Sequence, residues 1–200
     1  MGKVTTGATM SLDGYIAGPE ESGFDLLFQW YNNGDVAIPT GNPDMTFQVS
    51  AASARHLKEM TESTGALIVG RHLYDVTNAW GGRHPLDLTT VVLTHRPPTD
   101  RPLADENFVF VTDGIEAAVA AAKKIAGDRN VGVNGGQIAQ QCLDAGLLDE
   151  VNLDLVPVLL GAGTPFFANL GVKPVQLDGP TAIIEGTGVT HLTYAVRKAA

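Results

Sequence analysis

The segment that constrains this chain most runs from Val131 to Phe167, because it places Gly135-Gly136 between a strand-like apolar run and an amphipathic helical run. Two glycines at such a junction let the backbone approach a ligand closely. A helix that begins at Gln137 would direct its free N–H groups and positive dipole end toward an anion. The segment has neither a GxGxxG nor a GxxxxGK[ST] motif, so a tight structural turn is the alternative. The junction predicts a site for a nucleotide phosphate.

Composition limits the classes of partner. The 200 residues are 44% hydrophobic, which suffices for a full core and favours one domain, or one domain with a sizeable insertion. A formal charge of −9 argues against nucleic acid or an anionic membrane, because both would repel the chain. No apolar run is long enough to span a membrane and the N-terminus lacks a signal-peptide layout, so we expect a cytoplasmic protein. The single cysteine, Cys142, excludes an internal disulfide and is expected to pack in the core.

Hydrophobic patterns predict strands that alternate with helices and a closing hairpin, which together indicate a mixed, mostly parallel α/β sheet with helices on both faces. An irregular, aromatic-rich insertion at about 18–47 is expected to form a lid or a subunit contact. The predicted strands are Val4–Met10, Ala66–Val69, Thr90–Thr94, Phe108–Val111, Val151–Leu160, Ala182–Glu185 and Val189–Val196, and the predicted helices are Ser50–Thr61, Gly114–Gly127 and Gln137–Ala145.

Positive charge is scarce and follows the predicted strands. Gly70-Arg71 and Thr94-His95-Arg96 each come directly after an apolar run, as does Gly135-Gly136. Because open α/β sheets bind ligands at the carboxyl ends of their strands, these residues predict one rim for a dinucleotide. Scattered surface charges are the alternative. Cations rather than an acidic residue at Thr94–Arg96 favour NADPH over NADH.

Four motifs in order carry a resemblance to a known family. ATMSLDGYIAG at Ala8–Gly18, IVGRHLYD at Ile68–Asp75 and VVLTHRP at Val91–Pro97 join the Val131–Phe167 segment. With these four motifs, the chain resembles proteins of the dihydrofolate-reductase-like fold. It is most similar to the C-terminal reductase domain of bifunctional riboflavin-biosynthesis deaminase-reductases. The resemblance implies one reductase domain over 1–200, a C-terminal antiparallel hairpin and a homodimer. Only residues 24–47 and the loop around Trp80 fall outside it.

The resemblance also implies where NADPH would lie, along the carboxyl edge of the sheet, with a cis peptide between Gly135 and Gly136. Ala8, Thr9 and Ile16 would lie beside the nicotinamide; Gly70, Arg71 and Leu73 would meet the pyrophosphate side; Thr94, His95 and Arg96 would meet the 2′-phosphate; and Gly135, Gly136, Gln137 and Ile138 would cap the pyrophosphate.

Departures from the family leave the substrate open. Riboflavin-pathway reductases carry a lysine where Gly7 stands and an acidic residue where Asn134 stands. Dihydrofolate reductases place a carboxylate in the helix before the GRxxx strand, whereas residues 49–54 here contain no acid. Neither the riboflavin-pathway reaction nor dihydrofolate reduction is therefore supported, and no metal site is expected.

The favoured hypothesis is an NADPH-dependent reductase that passes hydride to a C=N or C=O bond of a small heterocyclic or sugar-derived substrate. Asp13 is the candidate proton donor, although an Asx turn explains it equally well; Tyr15 and His84 are weaker candidates. Asp13, Tyr15 and Trp80 are the candidate substrate contacts. The alternatives are a non-catalytic nucleotide-binding oligomer and a flavin-binding reductase on a split barrel, which would be yellow.

Overall fold

A computed structural model describes residues 2–99, 104–171 and 174–198. Strands are interspersed with helices through the first three quarters of the chain, and a hairpin follows near its end. The strands are β1 (Val4–Ser11), β2 (Tyr15–Ala17), β3 (Val36–Pro39), β4 (Thr46–Val49), β5 (Thr64–Gly70), β6 (Thr90–Leu93), β7 (Phe108–Val111), β8 (Asn130–Asn134), β9 (Glu150–Val156), β10 (Thr164–Pro165), β11 (Leu177–Gly186) and β12 (Val189–Val196). The helices are α1 (Phe24–Leu27), α2 (Ala51–Ser63), α3 (Arg71–Val76), α4 (Ile115–Ala126) and α5 (Gln137–Asp144).

Eight strands form the main sheet, in the order β11-β12-β9-β1-β8-β5-β6-β7. The strands from β9 to β7 in this order run parallel to their neighbours, and β12 and β11 are antiparallel. The predicted mixed, mostly parallel sheet with a C-terminal hairpin is therefore confirmed. Its topology places the carboxyl ends of β1, β8, β5 and β6 along one edge.

Apolar side chains pack on both faces of this sheet, as predicted. On one face, α4 and α5 cover a core that includes Ile68, Val131 and Cys142. On the other face, α2 covers a second cluster that includes Leu57 and Trp30. Because successive side chains of a strand point to opposite faces, Ala8 of β1 packs toward the first core while its neighbour Thr9 contacts Trp30 in the second.

Several predicted boundaries move, for identifiable reasons. The strand expected over 151–160 ends at Val156, because Pro157 has no N–H for the ladder. Helix α2 continues to Ser63 and is followed at once by β5, so Gly65 lies inside a strand and does not end the helix. The last hairpin begins at Leu177, five residues earlier than the predicted Ala182, with a register shift between Asp178 and Ala182.

The insertion at 18–47 contains short regular elements, namely β3, part of β4 and α1. Its aromatic side chains pack in a row: Trp30 stacks on Tyr31 at 3.9 Å between ring centroids, and Tyr31 stacks on Phe47 at 4.2 Å. Trp30 is 1% exposed. The segment thus belongs to the core on the α2 face. Within the described ranges, no helix has the length and apolarity needed to cross a bilayer.

Candidate functional site

The carboxyl ends of β5, β6 and β8 bring most of the predicted cofactor residues together. Arg71, which follows β5, donates from Nη1 to the carbonyl oxygen of Arg96, which follows β6, at 2.5 Å. A Cβ built on Gly70 would lie 3.3 Å from Cγ1 of Ile138 in α5. We call the set Gly70, Arg71, Thr94–Arg96 and Gly135–Ile138 the carboxyl ledge. The structure places these residues on one rim; their role in binding stays a prediction.

The glycine pair lies against the first strand and the turn that follows it. A Cβ built on Gly135 would lie 3.4 Å from both Ala8 Cβ and Ile16 Cδ1, and Gly136 has a φ of +76°. A Cβ at 135 would be in ordinary van der Waals contact with these side chains, whereas the positive φ favours glycine at 136. Ala8 and Ile16 therefore adjoin the ledge, as the resemblance implies.

The expected cis peptide between Gly135 and Gly136 is wrong. Among the described residues the cis peptide bond is Gly179–Pro180. The peptide bond between Gly135 and Gly136 is trans, and Gly136 has a positive φ at the start of α5.

Several side chains of the carboxyl ledge form hydrogen bonds that stabilise its backbone. The Thr94 side chain is buried, and its Oγ1 accepts from the Arg96 backbone N–H at 3.1 Å, which shapes the loop that exposes His95 and Arg96. Arg71 also donates from Nε to Asp75 at 2.7 Å. Gln137 is exposed at the first turn of α5. The ledge thus presents positive charge and free helix N–H groups on a braced backbone.

Two expected nicotinamide or pyrophosphate contacts point elsewhere. Thr9 Oγ1 accepts from Trp30 Nε1 at 3.2 Å, so its side chain lies on the α2 face. Leu73 packs against the apolar cluster around Tyr74 and Phe108. The roles of Thr9 and Leu73 in cofactor binding stay predictions.

Asp13 is a structural residue. Its carboxylate accepts from Ser11 Oγ at 2.6 Å and from the backbone N–H groups of Leu160 at 3.1 Å and Gly161 at 2.6 Å. The hydrogen bond from Ser11, with smaller help from these backbone groups, lowers the pKa of Asp13 below its usual value. An ionised carboxylate that bridges two loops is a poor proton donor, which favours the turn interpretation.

Trp80, His84 and Tyr15 are the other candidate residues, and the first two pack against each other. Trp80 packs against the cluster of Tyr74 and Phe108 and meets the His84 ring edge-on at 4.6 Å. Burial lowers the pKa of His84 to about 4, and its Nδ1 accepts from the Leu86 N–H, so His84 is neutral near pH 7. Tyr15 is partly buried in β2, and its backbone N–H donates to Ser11 Oγ at 2.9 Å.

Cys142 lies in the core, as expected. It is fully buried in α5, and burial raises the pKa of its thiol to about 12. A thiol in that environment is not a nucleophile at neutral pH.

Two concavities lie away from the ledge. One, of about 250 Å³, is an apolar groove between the β3–β4 hairpin, α2 and the loop at 85–87. The other, of about 240 Å³, is lined mainly by polar groups around Arg83 and Glu106. Neither concavity is lined by a residue of the carboxyl ledge.

A polar cluster on the α2 face was missed from the sequence. Ser53 and His56 come from α2, Asp154 from β9 and His191 from β12. His191 bonds Ser53 at 2.9 Å and Asp154 at 2.6 Å, and His56 Nε2 lies 3.6 Å from Asp154 Oδ1. The only signal in the sequence was a charged or polar residue within an apolar strand, at Asp154 and His191. The possible ligand atoms of His56, Asp154 and His191 all lie within 4.8 Å of one another, a spacing that a metal ion could bridge.

The sheet order, the carboxyl ledge and the glycine junction define a dihydrofolate-reductase-like α/β protein. The sequence profile of the RibD C-terminal domain matches residues 2–189. The chain therefore belongs to the RibD C-terminal domain family, as the resemblance predicted. Both this family and the fold are those of reductases, which supports an oxidoreductase in general terms.

Individual relatives agree with this assignment. The Bacillus subtilis (strain 168) protein YwjB is 26% identical over 163 residues, which cover 80% of each chain. A Shewanella sp. PV-4 protein assigned to riboflavin biosynthesis has a similar structure, with a TM-score of 0.71, 20% identity, and coverage of 98% of this chain and 99% of that one.

Two further solved structures show the same fold. Acinetobacter baumannii RibD has a TM-score of 0.63 at 17% identity, covering 98% of this chain and 58% of that chain. Dihydrofolate reductase from Enterococcus faecalis, in complex with NADP(H), has a TM-score of 0.56 at 15% identity, covering 98% and 97%.

Proposed function

We propose that this protein is an NADPH-dependent reductase that transfers hydride to a C=N or C=O bond of a small heterocyclic or sugar-derived substrate. The observation that carries the proposal is the carboxyl ledge, where the Arg71–Arg96 bond lies on the same rim as the glycine pair. A dinucleotide phosphate needs several separated donors, and this rim offers them.

The residues of the ledge fit such a cofactor. The first turn of α5, which begins after Gly136, offers backbone N–H groups to a pyrophosphate. His95 and Arg96 are exposed at the end of β6 and can meet a 2′-phosphate. Ala8 and Ile16 lie beside Gly135, where the resemblance implies the nicotinamide end of the cofactor. When bound, NADPH would supply the hydride, and the chain would orient the substrate and exclude water.

The substrate is proposed only as a class. Gly7 and Asn134 differ from the residues of riboflavin-pathway reductases, so the proposal does not extend to their substrate. The same two residues favour the second candidate, a nucleotide-binding protein that has lost turnover.

Turnover separates the two candidates. Purified protein is mixed with NADPH and a panel of aldehydes, ketones and cyclic imines, and loss of the reduced-nicotinamide absorbance is followed. We expect oxidation with at least one compound, and abolition of tight NADPH binding, measured by cofactor fluorescence, in Arg71→Ala. Tight binding with no turnover across the panel would favour the non-catalytic protein, and a yellow purified protein would favour the flavin enzyme.

A further inference from the structure

The polar cluster on the α2 face forms a directed hydrogen-bond chain. An ionised carboxylate only accepts hydrogen bonds, so the bond of 2.6 Å to Asp154 places the proton of His191 on Nδ1. His191 Nε2 is then an acceptor, and the Ser53 hydroxyl donates to it at 2.9 Å. Ser50, the N-cap of α2, donates in turn to Ser53 at 3.1 Å. This chain fixes the orientation of Asp154.

One member of the cluster keeps an unused ring nitrogen. The His191 side chain is 1% exposed and both of its nitrogens are engaged. The His56 side chain is 16% exposed, its Nε2 faces Asp154 at 3.6 Å, and its ring stacks on His191 with centroids 4.2 Å apart. Within the described part of the chain, no protein group hydrogen-bonds Nδ1 of His56. His56 is therefore the member of the cluster that can act on a ligand.

The cluster lies close to the residues that adjoin the ledge. Asp154 is the register partner of Thr9 in β1, and Thr9 follows Ala8, which contacts the Gly135 position. Trp30 links Thr9 to the cluster, since its Nε1 donates to Thr9 and its ring meets His191 edge-on with centroids 5.2 Å apart. The Thr9 side chain, which the resemblance implies beside the nicotinamide, thus lies on the same face of the sheet as the cluster, whereas Ala8 and the Gly135 position lie on the other face.

We propose that His56 donates the proton that completes the reduction, and that Asp154, held by His191 and Ser53, is the positioning residue that orients the His56 ring. The inference rests on the proposed reductase function. Hydride from NADPH forms the new C–H bond as the π bond of C=O or C=N breaks. The proton from His56 neutralises the oxygen or nitrogen, NADP⁺ is released, and His56 recovers its proton from water.

The charges around the cluster suit this role. Burial opposes ionisation of Asp154, but the hydrogen bond from His191 and the nearby His56 ring outweigh it and hold the pKa of Asp154 below its usual value. A persistent negative charge favours a protonated imidazole beside it. The other titratable group facing the cluster is Tyr31, whose pKa burial raises, with the charge of Asp154 adding to the effect, so it stays neutral. Asp154 thus places a negative charge 3.6 Å from Nε2 of His56.

A metal ion fits the same side chains less well. Imidazole coordinates a metal along the plane of its ring, whereas the rings of His56 and His191 stack with their planes only 25° apart. Both nitrogens of His191 are also already bonded to Ser53 and Asp154. Coordination would require the stacked pair to separate, so proton transfer is the better use of the cluster.

The test compares two benzo-fused six-membered probes that differ in their need for a proton. Reduction of α-tetralone requires hydride and a proton, whereas N-methyl-dihydroisoquinolinium requires hydride alone. General acids contribute roughly 10²–10⁴-fold, so His56→Gln and Asp154→Asn should lose that much in kcat with the ketone. With the iminium, both variants should keep a kcat within about threefold of the wild-type value. That change is much smaller than the roughly 100-fold loss that is the least expected with the ketone. Lys58→Gln, on the exposed side of α2, is the matched control and should leave both reactions unchanged.

A second readout needs neither turnover nor a variant. Diethyl pyrocarbonate, followed by peptide mass spectrometry, should modify His56 in the native protein along with exposed His95, and leave buried His191 unmodified. If His95 reacts and His56 does not, His56 has no accessible nitrogen and the inference is overturned.

The remaining outcomes are also decisive. Equal losses with both probes in folded variants would show a purely structural cluster and overturn the inference, while the reductase function stands. Wild-type protein that reduces neither probe, nor any compound of the wider panel, would contradict the reductase function itself and the inference with it. Loss of wild-type activity on chelation, restored by Zn²⁺, would identify a metal site and overturn the role of His56 as proton donor.

Discussion

At the residue scale, Asp154 couples folding to pH. Its folded-state pKa is depressed, so its contribution to stability is present above the pKa of the unfolded chain, about 4, and is lost as pH falls through the lower folded value. We expect the free energy of unfolding in urea to decrease below about pH 4, and Asp154→Asn to remove part of that decrease. At pH 7 the variant should cost about 1–3 kcal/mol, because His191 keeps only a neutral acceptor.

The control is Asp128→Asn, which changes an exposed carboxylate in the turn after α4. It should leave the pH dependence of unfolding as in the wild type. An Asp154→Asn protein with an unchanged acid limb would contradict the hydrogen-bonded, ionised state of Asp154.

Some residues of the candidate site can be predicted from the sequence and others cannot. Arg71, Arg96 and Gly135 each follow an apolar run, so their meeting on one rim depends only on parallel strands ending at a common edge. Asp154 and His191 meet Ser53 through the register of β9 and β12 and the placement of α2 above them. Register is not legible from one chain's hydrophobic pattern, and the cluster was therefore missed.

At the scale of elements, α4 lies unusually close to β5 at Gly65. A Cβ built there would be 2.6 Å from Ala126 Cα and 2.8 Å from Ala126 O, both backbone atoms that cannot rotate away. Gly65→Ala should therefore destabilise the fold by about 1–3 kcal/mol, as overpacking does, in urea unfolding followed by circular dichroism.

Gly132 in β8 supplies the comparison, since a Cβ there would first meet the end of the flexible Leu67 side chain at 2.8 Å. Gly132→Ala should cost less than Gly65→Ala. Equal costs at the two positions would contradict the close approach of α4 to β5.

Elements were predictable where one pattern dominates. The run Phe108–Val111 alternates cleanly and forms β7 with the predicted ends. The start of β11 was missed because Asp178-Gly179-Pro180 has the composition of a turn, yet the strand passes through it with a register shift. The β3–β4 hairpin was missed because its strands are short and lie within an aromatic-rich segment.

At the scale of the whole molecule, β11 is an edge strand with exposed apolar side chains. Ile183 is 59% exposed and Leu177 is 36% exposed, whereas Leu153 of β9 packs against the molecule's own core. Exposed edges readily pair with another strand. We propose that two copies associate through β11.

Light scattering after size exclusion should give twice the chain mass of 21.0 kDa. Ile183→Lys should reduce it to the mass of one chain, while Leu159→Lys, which alters an exposed loop side chain, should not. A single-chain mass for the wild type would contradict the dimer.

The most direct test of the carboxyl ledge is the difference in thermal stabilisation by NADPH and NADH. A ligand at a hundred times its dissociation constant stabilises the native state by about 2.7 kcal/mol, so a 2′-phosphate held by the ledge should give NADPH the larger rise in Tm. Arg96→Ala should abolish the difference, and Arg83→Ala, outside the ledge, should retain it. Equal rises with both cofactors in the wild-type protein would contradict the ledge as an NADPH site.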